Sequence, residues 1–248
     1  MIELLREAFP ERPETGPALS RILLDQVAAG VRPATARLSR PGRVVAFGRR
    51  DTRSAGYTAA VAAARDHGFG GMERLTGGRA AAYSEGTLSL TLTIPDPAPA
   101  ERTDRRFRDA SGLARSALAS LGIDARVGEV PGEYCPGDFS VNAGGETKLA
   151  GVGQRMIKGA AHVGFVIVVA GSSLIQQVLD PVYAALELDW NPATVGAIED
   201  EVPGATPEAV EAALLDQLES QYAVRPVRLD ESTLGLARER AAGFRSPG

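Results

Sequence analysis

The chain has 248 residues, is 44% hydrophobic and 23% charged, and carries a formal net charge of -4, the texture of a globular protein with room for one large domain or two small ones. The acidic balance argues against a general nucleic-acid binder, whose basic face releases counterions from phosphate, and the longest apolar run, residues 163–170 with Gly164 inside it, is too short to cross a bilayer. A single cysteine excludes an internal disulfide framework, and no apolar segment marks a signal peptide at the amino terminus, so the cytoplasm is the expected compartment.

Residues 1–17, rich in Pro and Glu, read as an irregular lead-in. Leu19, Ile22, Leu23, Gln26 and Val27 recur at helical spacing and predict a helix over 18–29, ended by Gly30. Strand-like runs at 34–39 and 43–48 flank the turn dipeptide Pro41-Gly42 and predict a hairpin. Residues 57–67 are alanine-rich and helical, with Gly68 at their end. Over 87–94, Leu88, Leu90, Leu92 and Ile94 alternate with Thr and Ser, the pattern of a strand with one buried face. A Pro-rich connector then leads to a helix marked by Phe107, Ala110, Ala114, Leu118 and Leu121 and closed by Gly122. Strands are expected at 126–130, 138–142, 148–154 and 163–169, with Gly144-Gly145 turning between the second and third. A helix over 173–186 contains Pro181, and residues 199–204 read as an acidic loop. Thr206-Pro207-Glu208 offers an N-cap, a proline at the first position and a first-turn acid. The helix that follows has Val210, Leu214, Leu218 and Tyr222 on its core face, and a last helix over 231–242 precedes a disordered tip. Hairpin-linked strands without regular strand-helix alternation predict an α/β (α+β) fold, a mixed, largely antiparallel sheet flanked by helices, and not a doubly wound nucleotide fold.

Of the 27 Lys and Arg residues only two are lysines. A lysine that survives such a bias is a candidate for chemistry, because its ammonium is a compact point charge with three donors where guanidinium is a wide fork. Lys148 stands in Thr147-Lys148-Leu149-Ala150-Gly151-Val152-Gly153-Gln154-Arg155; Lys158, in a polar turn-like stretch, better fits an ordinary surface lysine. Arg74-Leu75-Thr76-Gly77-Gly78-Arg79-Ala80 sets paired glycines, which let a backbone approach a ligand closely, between two cations suited to a carboxylate or phosphate. A plain Gly-Gly hairpin is the simpler reading of that segment alone. It lacks the ending of a Walker A loop and the third glycine of a dinucleotide fingerprint. Two histidines and one cysteine without ligand spacing predict no metal site.

Taken together, the glycine segment, Ser84-Glu85-Gly86-Thr87-Leu88-Ser89, the Lys148 strand and Ala161-His162-Val163-Gly164 resemble the lipoate-protein ligase and octanoyltransferase family, which shares its catalytic fold with biotin-protein ligases. The resemblance runs from about residue 18 to 188, and Gly77, Gly78, Arg79, Lys148, Leu149, Gly151 and Gln154 match the family pattern. It implies a catalytic domain over 18–190, with 191–248 as a helical extension packed on the same domain. It also implies an enzyme that attaches a lipoyl or octanoyl group to a lysine of a lipoyl carrier domain, in a dehydrogenase complex or a glycine cleavage protein. In the ligase version, placed first, ATP with Mg activates lipoate or octanoate as an acyl-adenylate. In the transferase version the donor is a thioester, such as an acyl carrier protein carries, and Cys135 is the nucleophile. A non-catalytic acyl- or nucleotide-binding relative is the third reading.

Carried over residue by residue, the resemblance places Lys148 on the acyl carbonyl and, in a ligase, on the adenylate phosphate. Arg74, Gly77 and Gly78 would close over the acyl group beside Arg79, and the strands that hold Leu88 and Val163 would wall an acyl tunnel. Asp138 stands where ligases often carry an Asn-Asp pair, here preceded by Gly137. Tyr83 occupies a place where a His is common, and Gly153 one where an Ala precedes Gln154; Gly151, Gln154 and His162 complete the implied substrate-binding set. Cys135, in the turn-rich Pro131-Gly132-Glu133-Tyr134-Cys135-Pro136-Gly137-Asp138, resembles the acyl-accepting cysteine of some octanoyltransferases, in a shorter loop. A thiolate near a cation has a depressed pKa and serves that role. The other octanoyltransferase branch, with a Pro-Cys-Gly after the lysine strand, is excluded because no cysteine stands there.

Overall fold

Alternation of side chains across the long strands divides the molecule into a packed layer and an open one. The computed structural model describes residues 1–248. Its strands are β1 (Ile2–Leu5), β2 (Thr35–Ser39), β3 (Val44–Phe47), β4 (Gly70–Glu73), β5 (Ala81–Tyr83), β6 (Thr87–Asp96), β7 (Ala125–Val127), β8 (Val141–Ala143), β9 (Thr147–Ile157), β10 (Gly159–Val168) and β11 (Val224–Pro226). The helices are α1 (Thr15–Ala28), α2 (Tyr57–Asp66), α3 (Thr103–Ser120), α4 (Ser172–Ala185), α5 (Ile198–Glu201), α6 (Pro207–Glu219) and α7 (Glu231–Arg240). Eight strands form one sheet in the order β11-β1-β2-β6-β10-β9-β8-β7, and three form a second, β4-β3-β5. Pairing is antiparallel from β2 to β7 and parallel at β1, so the predicted mixed, largely antiparallel sheet flanked by helices is the observed architecture.

On one face of the large sheet, Leu88, Leu90 and Leu92 of β6 meet Val163, Phe165 and Ile167 of β10. Helices α3 and α6 cover that face with Leu113, Leu118, Leu214 and Leu218. A second core joins the small sheet to α2 and α4 through Phe47, Val61, Val178 and Tyr183. Pro181 lies inside α4, and the predicted cap of α6 is present, with Thr206 Oγ1 accepting from the Ala209 amide at 3.2 Å.

Four expectations are corrected. Residues 2–5 of the supposed lead-in form β1, held between β2 and β11; both partners lie far away in sequence, and four residues are too few to show a period. The runs at 34–39 and 43–48 are not a hairpin. Gly42 does turn, with φ of 77°, but it passes the chain from the large sheet to the small one, where β3 pairs with β4 and β5. The acidic loop contains α5, whose start is fixed by Asp200 accepting from the Ala197 amide at 2.8 Å. The tip after residue 242 is packed: the Tyr57 hydroxyl meets Ser246 Oγ at 2.9 Å and Arg65 donates to the Pro247 carbonyl at 2.7 Å. Residues 191–248 also include a strand, β11, at the edge of the main sheet. No helix of the chain is long and apolar enough to cross a membrane.

Candidate active site

The other face of the large sheet carries small and polar side chains. Arg37, Thr91, Gly164 and Gly153 are register partners across β2, β6, β10 and β9, and the next row is Ser39, Ser89, Val166 and Gly151. The glycines, serines and threonine among them leave space, and a cavity of about 520 Å³ lies over them, closed on its other side by the segment between β4 and β5 and by the Cys135 loop. The two strands expected to wall a tunnel, β6 and β10, do line this cavity, but with their other face. Strand alternation sends Leu88, Leu90 and Leu92 to the opposite core, and the cavity meets Ser89, Thr91, Gly164 and Val166 instead.

The two glycines of the 74–80 segment have different duties. Gly78 has φ of 100°, and a Cβ there would lie 2.3 Å from Arg74 Nη2 and 2.8 Å from Cys135 Sγ. Gly77 is exposed, with nothing within 4 Å of a would-be Cβ. Gly48, at the end of β3, was not singled out by the sequence; a Cβ on it would sit 1.9 Å from the Gly78 carbonyl oxygen. Its amide donates to Asp51 Oδ2 at 2.9 Å, while Asp51 Oδ1 takes Arg79 Nη1 at 3.2 Å. Buried Asp51 thus ties the end of β3 to the glycine segment.

Cys135 sits against that segment. Arg74 Nη2 donates to its Sγ at 3.1 Å and the Arg79 amide does so at 3.2 Å; Arg74 also donates to the Arg79 carbonyl. Burial works against ionisation of this thiol, but the Arg74 guanidinium, the Lys148 ammonium and the two hydrogen bonds outweigh it, and its pKa is lowered. The residue adopts φ of 43°, a left-handed conformation that a non-glycine residue holds only when its surroundings enforce it. They do: the Cys135 amide donates to Tyr183 Oη at 2.7 Å, and that hydroxyl donates to the Ala80 carbonyl at 2.9 Å.

Lys148 is 1% exposed. Its Nζ donates to Glu133 Oε1 at 2.9 Å, to the Tyr134 carbonyl at 2.9 Å and to the Cys135 carbonyl at 2.8 Å. All three ammonium donors are thereby spent on the cysteine loop, and a direct contact to an acyl oxygen requires one to be released. Gly151 lies beside the lysine stem, 3.4 Å from Cε to its would-be Cβ.

The remaining candidates take other stations. Tyr83 is buried at the cavity, and burial raises its pKa against the pull of Arg74. Gln154 is a clasp: its amide donates to the Thr103 carbonyl at 3.0 Å and accepts from Arg106 Nε at 2.9 Å. Gly153, standing for the family's alanine, makes way for Thr76, whose Oγ1 would be 2.9 Å from a Cβ there. His162 Nδ1 pairs with Thr93 Oγ1 at 2.9 Å, and burial, then the nearby Arg37, lowers its pKa to about 3. Asp138 is exposed at the cavity rim. Glu133, Tyr183, Asp51 and Gly48 were missed. A lone carboxylate two residues before a cysteine carries no local signal, and the partners that bring the other three to the site, Gly78, Arg79 and Cys135, are distant from them in sequence.

Residues 12–219 match the lipoyl protein ligase A/B catalytic domain family. The chain is 30% identical over 155 residues to an octanoyl-[GcvH]:protein N-octanoyltransferase of Geobacillus kaustophilus, covering 62% of this chain and 54% of that protein. With the protein of the same name from Bacillus velezensis the identity is 32% over 146 residues, 59% of this chain and 50% of the relative. A lipoyl-[GcvH]:protein N-lipoyltransferase of Listeria monocytogenes is 26% identical over 140 residues, 56% and 50% of the two chains. The chain thus spans about half the length of these curated relatives. Among solved structures, protein Ta0514 from T. acidophilum with bound lipoic acid has a TM-score of 0.76 at 21% identity, over 97% of this chain and 95% of that one. A lipoate-protein ligase A bound with ATP has a TM-score of 0.75 at 20% identity, over 97% and 94%; at such identities the likeness is one of fold. Because the family match covers most of the residues and the fold agrees along nearly the whole length, the chain belongs to the lipoyl protein ligase A/B catalytic domain family.

Proposed function

We propose that the chain is a cysteine-dependent protein acyltransferase that takes an octanoyl or lipoyl group from one lipoyl carrier and attaches it to a lysine of another. The observation that carries this reading is the setting of Cys135 Sγ, which receives two N–H donors, one from a guanidinium, at the edge of the 520 Å³ cavity. A thiolate is the attacking species in acyl transfer to cysteine, and this environment favours it. The names of the relatives, with an octanoylated or lipoylated GcvH as donor, support an acyl-amide donor for this chain too. The thiolate attacks the amide carbonyl carbon, the C–S bond forms, and the donor lysine leaves as an amine after taking up a proton. The acceptor lysine then attacks the thioester, forms a new amide and releases the thiol. The feature that favours the ATP-dependent ligase is Asp138, exposed at the rim as a carboxylate that Mg-ATP could approach.

The test offers an apo lipoyl domain with octanoylated glycine cleavage carrier, with octanoyl acyl carrier protein, or with lipoate plus Mg-ATP, and reads the acceptor's mass. Modification from a carrier-bound donor without ATP is expected, with a hydroxylamine-sensitive adduct on Cys135 and loss of turnover in Cys135→Ser. Modification with lipoate and Mg-ATP alone, undiminished in Cys135→Ser, would establish the ligase instead.

A further inference from the structure

The loop that carries Cys135 is organised around one buried carboxylate. Glu133 Oε2 accepts from the Val130 amide at 3.1 Å, and Oε1 accepts from the Gly137 amide at 3.2 Å, the Ser140 hydroxyl at 2.6 Å and Lys148 Nζ at 2.9 Å. Its side chain is 0% exposed. Two of these donors follow Cys135 in the chain and one precedes it, so the carboxylate closes the loop on both sides of the nucleophile. The fourth donor is the ammonium that grips the Tyr134 and Cys135 carbonyls.

We infer that Glu133 is a positioning residue for Cys135: its carboxylate is the counter-ion that holds the Lys148 ammonium in place and aims it at the cysteine backbone, and so holds the nucleophile in its left-handed conformation facing the cavity. An uncharged acceptor would satisfy the hydrogen bonds in part but would leave a buried ammonium unneutralised, which is far costlier than a lost neutral hydrogen bond. Lys148 and Tyr183 then grip the carbonyl and the amide of the same residue, and that double grip maintains φ of 43°. The role assigned to Glu133 rests on the proposed cysteine chemistry, but it concerns geometry and not ionisation.

Glu133→Gln keeps the length and removes the charge; it is compared with wild type by single-turnover acylation from octanoylated carrier, across pH, by mass. Alkylation of Cys135 by iodoacetamide, a small reagent indifferent to loop geometry, runs in parallel. The plateau rate of acylation at high pH should fall roughly 10- to 100-fold, as for a reacting group displaced by about an ångström, while the plateau of alkylation stays near wild type. Equal acylation plateaus, or a loss that disappears once the thiol is fully ionised, would overturn the role. If Glu133→Gln does not fold, Ser140→Ala, which removes the shortest of the four bonds, carries the same comparison with a smaller loss of acylation. A wild type that forms no thioester at all would instead defeat the cysteine chemistry, and so the two failures are told apart.

Discussion

Gly48 lies outside every motif yet limits where the glycine segment sits. Because its would-be Cβ is 1.9 Å from the Gly78 carbonyl oxygen, backbone has to move in Gly48→Ala, and overpacking of this kind costs about 1–3 kcal/mol. The displaced segment carries the Arg79 amide away from Cys135 Sγ, and slower alkylation of Cys135 near neutral pH is expected. Gly77→Ala, with open space around it, should leave both melting temperature and alkylation close to wild type; equal damage from the two substitutions would mean that crowding at Gly78 is not the constraint. Arg74 is the leading favourable influence on the Cys135 thiol. Removing that cation disfavours the thiolate, so Arg74→Gln should move the inflection of the alkylation profile to higher pH. An unmoved inflection would assign the lowered pKa to the remaining influences, first of them Lys148.

Helix α3 is fastened to the sheet by a buried arginine. Arg106 donates to Asp96 Oδ2, at the end of β6, at 2.6 Å, and to Gln154 of β9 at 2.9 Å. Arg106 is 3% and Asp96 2% exposed. Gln154, on β9, therefore spends its side-chain amide on Thr103 and Arg106 of α3, and the matching family position serves here to seat the strand that carries Lys148. Asp96→Ala leaves a buried guanidinium without its closest carboxylate, and breaking a buried pair from one side costs about 3–5 kcal/mol. The urea midpoint should fall accordingly with an unchanged m-value, the sign of lost stability without altered compactness. A shift of a few tenths of a kcal/mol would show that Arg102, which also reaches Asp96, or water takes over the role.

Across the molecule, the cavity lies between two sheets with separate cores, and buried polar groups on its floor tie acid stability to the fold. His162 is 3% exposed, and burial first, then the Arg37 cation, hold its pKa near 3. An imidazole in the unfolded chain titrates near 6.5, so between about pH 6.5 and 3 the unfolded state binds one more proton at this position. Stability then falls as pH falls, by up to about 1.4 kcal/mol per unit. His162→Asn should flatten the decline of the urea midpoint between about pH 6.5 and 4.5 by that single-proton slope. Parallel declines in the two proteins would assign the acid sensitivity to other groups.

Elements written in neighbouring residues were legible from the sequence. The alternation of 87–94, the Thr206-Pro207 start of α6 and the turn at Gly144-Gly145 each express a preference decided within a few residues. The motifs likewise pointed to Lys148, Cys135 and the glycine segment, because a rare lysine and a lone cysteine stand out against their composition. Partnership was not legible. Nothing local announces that β1 lies between β2 and β11, that Pro41-Gly42 joins two sheets, or that Lys148 faces Glu133 and the cysteine backbone. Those outcomes depend on which distant segments bury each other's apolar faces and unpaired polar groups. That competition is settled only when the whole chain packs, since a buried charge or an edge strand is costly until its partner arrives.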